Sequence, residues 1–135
     1  MKSIGTYILD GKTPVGCEDY LQWSIWLGTA DRTVALTRVA NVKISTVCIG
    51  VDLNPENIPP QVFETMLTLV GGDELPATVQ NATRQFANRG RRSGTWDEAQ
   101  QVHDEYVALV KEAVAAAKTS ISRQAVNDST NDPQL

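Results

Sequence analysis

The 135-residue chain reads as one α+β domain, a small antiparallel sheet in the order β-β-α-β-β-β-α whose two helices cover one face as a two-layer sandwich. Three features predict this. Two segments rich in Val, Ile and Thr flank Ala40-Asn41, a short apolar run ends at Asp10-Gly11, and Thr95-Trp96-Asp97-Glu98 opens a long amphipathic stretch. Composition sets the outer bounds. At 41% apolar and 21% charged, the chain has the make-up of a soluble globular domain with a real core. Its 12 Lys and Arg against 16 Asp and Glu give a net charge of −4, which argues against general nucleic-acid binding.

Taken in order, Tyr7-Ile8-Leu9 is a strand and Asp10-Gly11 its turn, because Asp-Gly supplies the positive φ of a tight hairpin. Residues 12–15 are the return strand, with Pro14 marking an edge. Glu18 and Asp19 suit the positive end of a helix, and Tyr20, Trp23, Leu27 with Leu21, Ile25 then recur at helical spacing until Gly28. Residues 33–39 and 42–52 form a hairpin around Ala40-Asn41. In its second strand the apolar set changes parity between Ile44 and Val47, which requires a bulge or burial of both faces. Asn54-Pro55 and Pro59-Pro60 make 53–60 a loop. Residues 62–70 are a strand with Phe63, Leu67 and Leu69 on one face and Glu64, Met66 and Thr68 on the other.

Gly71-Gly72 stops that strand, and residues 73–92 are polar without a firm period, the most insertion-like stretch, with room for a short helix over 78–86. Thr95 to Glu98 is a capping box, and Ala99, Val102, Tyr106, Leu109, Val110, Ala113 and Ala117 form one stripe of a helix running to about Ser120. Residues 122–135 are polar and read as a flexible tail. The domain is thus 1–121, with an ordered core of 1–72 and 93–121 and an insertion at 73–92.

Several functions are excluded or disfavoured. No apolar run reaches 18 residues, so no membrane-spanning helix is expected, and Met1-Lys2-Ser3 leads into a strand rather than the apolar centre of a secretory signal. Two cysteines cannot build a disulfide scaffold or a four-ligand zinc site, and one histidine removes most metal chemistry. Walker, G-x-G-x-x-G, G-x-S-x-G and H-E-x-x-H motifs are missing, so an enzyme is the least favoured class and no cofactor or metal is expected.

A few residues stand out. His103 lies beside the stripe of the last helix, where it is either a hydrogen-bonded imidazole at the helix–sheet boundary or a ligand or base. Cys17 at a helix start is the better candidate for reactivity, with small apolar filler as its alternative, and Cys48 in the middle of an apolar strand is core. Asp52, Asn54 and Glu56 have the spacing of an oxygen site for a hard cation, but turn hydrogen bonds explain them as well. Glu64 inside an apolar strand needs either a solvated face or a partner such as Arg38 or Lys43. Trp23 and Trp26 cannot both face the core fully, so either one is a candidate interface anchor or both pack on the sheet edge. Arg84, Arg89, Arg91 and Arg92 could contact phosphates or an acidic surface, or be plainly solvated.

The run Ser45-Thr46-Val47-Cys48-Ile49-Gly50-Val51-Asp52, then Pro59-Pro60, Phe63-Glu64-Thr65-Met66, Gly71-Gly72 and Thr95-Trp96-Asp97-Glu98-Ala99 with His103 downstream, resembles a family of short uncharacterised phage and prophage proteins. The resemblance spans about residues 7–110. It departs at Leu53, where such proteins often carry His, and at 73–92, most of which they lack. The resemblance implies a phage origin. The expected function is a non-catalytic binding protein in the cytoplasm of an infected host cell, masking a protein partner such as a defence component. Two alternatives are a nucleotide or small-ligand sequestering module, with a tryptophan stacking on a base and the arginines on phosphates, and a minor virion component. A homo-oligomer is compatible with all three.

Overall fold

Gly11 has φ +62°, and with Lys12 it makes the two-residue turn between β1 (Gly5–Asp10) and β2 (Thr13–Gly16), Asp10 lying opposite Thr13. In the computed structural model, which describes residues 5–54 and 56–130, this hairpin belongs to the smaller of two antiparallel sheets. Its third strand is β5 (Val51–Asp52), in the order β2-β1-β5. The larger sheet has the order β3-β4-β6-β7, made of β3 (Thr33–Val39), β4 (Val42–Cys48), β6 (Phe63–Leu69) and β7 (Gly90–Ser93). With three helices, α1 (Tyr20–Thr29), α2 (Ala77–Arg84) and α3 (Trp96–Thr130), the fold is mixed α+β.

The parity change in residues 42–52 has a simple origin. The chain does not continue as one strand: Gly50, at φ +72°, turns it out of the larger sheet and into the smaller one. The single meander expected from sequence therefore divides into two sheets. Within the larger, the β3–β4 turn is Ala40-Asn41 as expected, with Ala40 at φ +51° and Val39 opposite Val42.

α3 covers one face of all four strands of the larger sheet. Its N-terminus is capped by Thr95, whose Oγ1 accepts from the Glu98 amide at 3.1 Å, and Asp97 and Glu98 sit in the first turn where the helix dipole favours them. On the sheet side, Val42, Ile44, Thr46 and Cys48 of β4 and Phe63, Thr65 and Leu67 of β6 are buried, while Lys43, Glu64, Met66 and Thr68 lie on the opposite face. The core has two parts. One joins Val42, Ile44 and Leu67 to Val79, Phe86, Val110, Val114 and Ala117; the other groups Cys48, Val62, Phe63 and Ala99 with Tyr7, Leu9, Trp26 and Trp96 around them.

Four sequence expectations need correction. The two covering helices are α3 and α2, which packs against α3, whereas α1 packs on β1 of the smaller sheet. Residues 73–92 lie inside the ordered core rather than outside it: Val79, Thr83 and Phe86 are buried at helical spacing, and β7 pairs with β6 from Phe63↔Ser93 to Met66↔Gly90. Leu109 and Leu69 are exposed, and Val114 takes the buried place in the helix stripe. The tail begins later than residue 122. No Gly or Pro interrupts 95–130, so α3 continues to Thr130, and residues 131–135 of the expected tail lie outside the described residues.

Candidate interaction surface

α1 starts where Asp19 caps it, one side-chain oxygen accepting from the amides of Leu21 at 3.0 Å and Gln22 at 3.2 Å. The ten residues that follow, Tyr-Leu-Gln-Trp-Ser-Ile-Trp-Leu-Gly-Thr, contain no charged side chain. Its inner side is held at Gly50. Trp23 Nε1 donates to the Gly50 carbonyl at 2.9 Å, the Tyr7 amide donates to the same oxygen at 2.8 Å, and a Cβ on Gly50 would lie 2.9 Å from the Trp26 ring. Trp26 continues into the second core beside Tyr7. Both tryptophans are therefore half-buried and pack α1 onto the body, the sheet-edge alternative of the two.

The outer side is apolar as well. Tyr20, Leu21 and Ile25 are 63%, 71% and 57% exposed, and no residue of α1 is fully buried. Three large apolar side chains exposed on one uncharged helix, with Gln22, Ser24 and Thr29 as their polar neighbours, exceed the scattered apolar residues of an ordinary surface. Sequence reasoning chose the tryptophans and missed Tyr20, Leu21 and Ile25. The signal available was the uncharged run itself, whose two apolar faces cannot both meet one sheet.

The arginines do not gather into a phosphate clamp. Arg92 Nε pairs with Glu64 at 3.1 Å on the uncovered face of the larger sheet, and its Nη1 donates to the carbonyls of Val51 and Gln61 at 3.3 and 3.4 Å, tying the two sheets together. Arg92, rather than Arg38 or Lys43, is thus the partner of Glu64. Arg91, one residue away, points to the helical face and lies 3.6 Å from Glu105 of α3. Arg89 stacks 5.6 Å over Phe86, and Arg84 stands in the last turn of α2. Phe86 belongs to the first core and Trp26 to the second, so the arrangement required for a base stacked on tryptophan with its phosphates on these arginines is not formed.

His103 is 1% exposed and hydrogen-bonded at both ring nitrogens, Nε2 to Thr37 Oγ1 and Nδ1 to Thr46 Oγ1, each at 2.8 Å. Thr46 Oγ1 in turn lies 2.7 Å from Thr65 Oγ1. This buried chain fastens α3 to β3, β4 and β6, and it leaves the imidazole no access to a ligand. Of the two readings of His103, the hydrogen-bonded imidazole at the helix–sheet boundary is the one the structure shows, and it does not belong in a binding site. Cys17 is buried two residues before the helix cap, its thiol donating to the Asp19 carbonyl at 3.5 Å. Cys48 lies in the core, and burial pushes its thiol pKa up despite the Gly50 backbone and the Arg32 charge.

Asp52 is taken up by its own loop. Its oxygens accept from the amides of Asn54 at 2.9 Å and Gln61 at 2.7 Å and from the Asn57 side chain at 3.1 and 3.2 Å, while Asn54 Oδ1 accepts from the Glu56 amide. Turn hydrogen bonds thus account for the Asp52, Asn54 and Glu56 spacing. Burial alone would raise the Asp52 pKa, but the Gln61 and Asn54 amides, the Asn57 side chain and the Arg92 charge outweigh it and hold the carboxyl below its ordinary value. Its stabilisation is accordingly present above the unfolded value of about 3.9 and lost as pH falls through the lower folded value. Asp52→Ala should cost about 2–3 kcal/mol at neutral pH and much less in strong acid, as read from urea unfolding at several pH values.

Among the described residues no helix is long and apolar enough to cross a membrane. Comparison with protein-family models, with characterised proteins and with solved structures finds no match.

Proposed function

We propose that the chain is a non-catalytic binding protein that engages a protein partner through the outer face of α1. The observation that carries this reading is the exposed apolar row Tyr20, Leu21 and Ile25 on a helix without a single charge. The engagement of the only histidine in a buried hydrogen-bond chain supports a role in recognition rather than catalysis. The phage resemblance of residues 7–110 supports a partner met inside an infected cell, from the host or from the phage itself.

Leu21→Glu combined with Ile25→Glu tests the reading. Both side chains face solvent, so the double variant should keep its circular dichroism and melt within about 2 °C of the parent. Proteins cross-linked to the wild type in infected-cell lysate should be missing from the variant. Recovery of the same proteins by both forms, or of none by either, would show that α1 is not the contact surface.

A further inference from the structure

We infer that the occupant of the α1 face is a basic amphipathic segment, an apolar helix face fringed with Lys or Arg; this rests on the reading of α1 as the contact surface. Charge complementarity carries it. Between residues 13 and 31 the chain has three acidic residues, Glu18, Asp19 and Asp31, and no Lys or Arg. They bracket α1 at both ends, Glu18 and Asp19 before Tyr20 and Asp31 after Thr29. The two cations nearest in sequence are engaged elsewhere. Lys12 Nζ sits 5.5 Å over the Trp96 ring, and Arg32 Nη1 donates to the Cys48 carbonyl at 2.9 Å. Among the described residues Glu18 has no ion-pair partner. The apolar face is therefore flanked by three carboxylates, of which Asp19 caps the helix, Asp31 accepts from the Thr33 amide, and Glu18 stands without an ion pair among the described residues.

A second feature lies at the same end. A groove of about 450 Å³ opens beside Glu18 and Tyr20, floored by the Gly5–Tyr7 strand and walled by Gly16 and Cys17. Gly16 leaves its side of the groove open, since a Cβ there would meet nothing within 4 Å. A long cationic side chain entering it would meet the Glu18 carboxylate and the Tyr20 ring, both favourable to a positive charge. Leu21 and Ile25, one helical turn apart, would take the apolar residues of the same segment. The flanking carboxylates repel nucleic acid and anionic lipid surfaces, which leaves a basic protein segment as the fitting partner.

The test uses the full chain and two synthetic helical peptides of equal length with the same leucine face, one flanked by lysines and the other by glutamates. Binding is followed by amide chemical shifts of α1. The lysine peptide should bind about tenfold or more tighter than the glutamate peptide, and Glu18→Lys should weaken it by a similar factor. Glu112→Lys, on the exposed side of α3, changes the net charge equally and should leave affinity unchanged. Binding that is lost in Leu21→Glu but indifferent to Glu18→Lys overturns the basic partner and leaves α1 as a contact surface. Binding indifferent to both substitutions overturns both readings. An equal loss in Glu112→Lys reduces the effect to overall charge and overturns the inference, as does failure of the lysine peptide to bind.

Discussion

His103→Ala should cost about 3–5 kcal/mol, a large part of the 5–15 kcal/mol that a domain of this kind commands. The substitution empties a site that is 1% exposed and strips partners from Thr37 and Thr46 at once. Thr46 retains Thr65, but Thr37 has no other side-chain partner among the described hydrogen bonds. A hydroxyl left unpaired under a helix bears a desolvation cost that a surface hydroxyl does not. Titration with urea at pH 7.5 measures the loss, and a change below about 1 kcal/mol would show that the chain from Thr37 to Thr65 does not hold α3 to the sheet.

The same residue carries a pH dependence of definite sign. Burial holds the folded imidazole below its ordinary pKa, and the Asp104 charge opposes this only in part. The unfolded chain therefore takes up the proton first as pH falls. The contribution of His103 is complete above about pH 6.5 and declines below it, through the folded value. Unfolding free energies at pH 7.5 and 5.5 should differ in the wild type by more than in His103→Ala, where only the carboxylates remain to titrate. Equal pH slopes in the two proteins would exclude the histidine as the source.

Gly50→Val should have the second large effect, confined to one end of the molecule. Gly50 has φ +72°, a backbone region that costs a β-branched residue about 1–3 kcal/mol. Its Cβ would also lie 2.9 Å from the Trp26 ring, 2.9 Å from the Tyr7 carbonyl oxygen and 3.1 Å from Trp23 Nε1. The tryptophan rings could swing away only by releasing α1, and the Tyr7 carbonyl is backbone. Loss of about 3 kcal/mol or more is expected, with α1 and β1 losing amide-exchange protection while α3 and β4 keep most of theirs. Tryptophan emission should shift to the red as Trp23 and Trp26 meet water. Uniform loss of protection across both sheets would instead mean that the two ends of the core unfold together.

Much of the architecture was legible in local chemistry. The Asp10-Gly11 and Ala40-Asn41 turns, the alternation along residues 63–69 and the Thr95 cap each act over a few residues, so their signals stand in neighbouring letters. α2 was legible only as room for a short helix over 78–86, because its inner side consists of Val79, Ala82 and Thr83, with Phe86 just beyond, in an otherwise polar stretch. β7 was hidden for a stronger reason. Gly-Arg-Arg-Ser has little strand preference of its own, and the open edge of β6 makes it a strand. The candidate site was the least legible part, because one conspicuous residue type was read for another: tryptophans suggest interfaces, and here they are spent on Gly50.

The sequence by itself determined the α+β class, most of the elements and the alternation of faces along β6, since turn, cap and periodicity signals are short-ranged. Only the tertiary structure decided that β5 leaves the sheet of β4, that His103 closes a buried chain with three threonines, and that Tyr20, Leu21 and Ile25 remain outside. These outcomes depend on contacts between residues far apart in the chain. Where two apolar faces compete for one surface, the choice rests on fit, and in α1 the fit is made at Gly50, the carbonyl that Trp23 reaches.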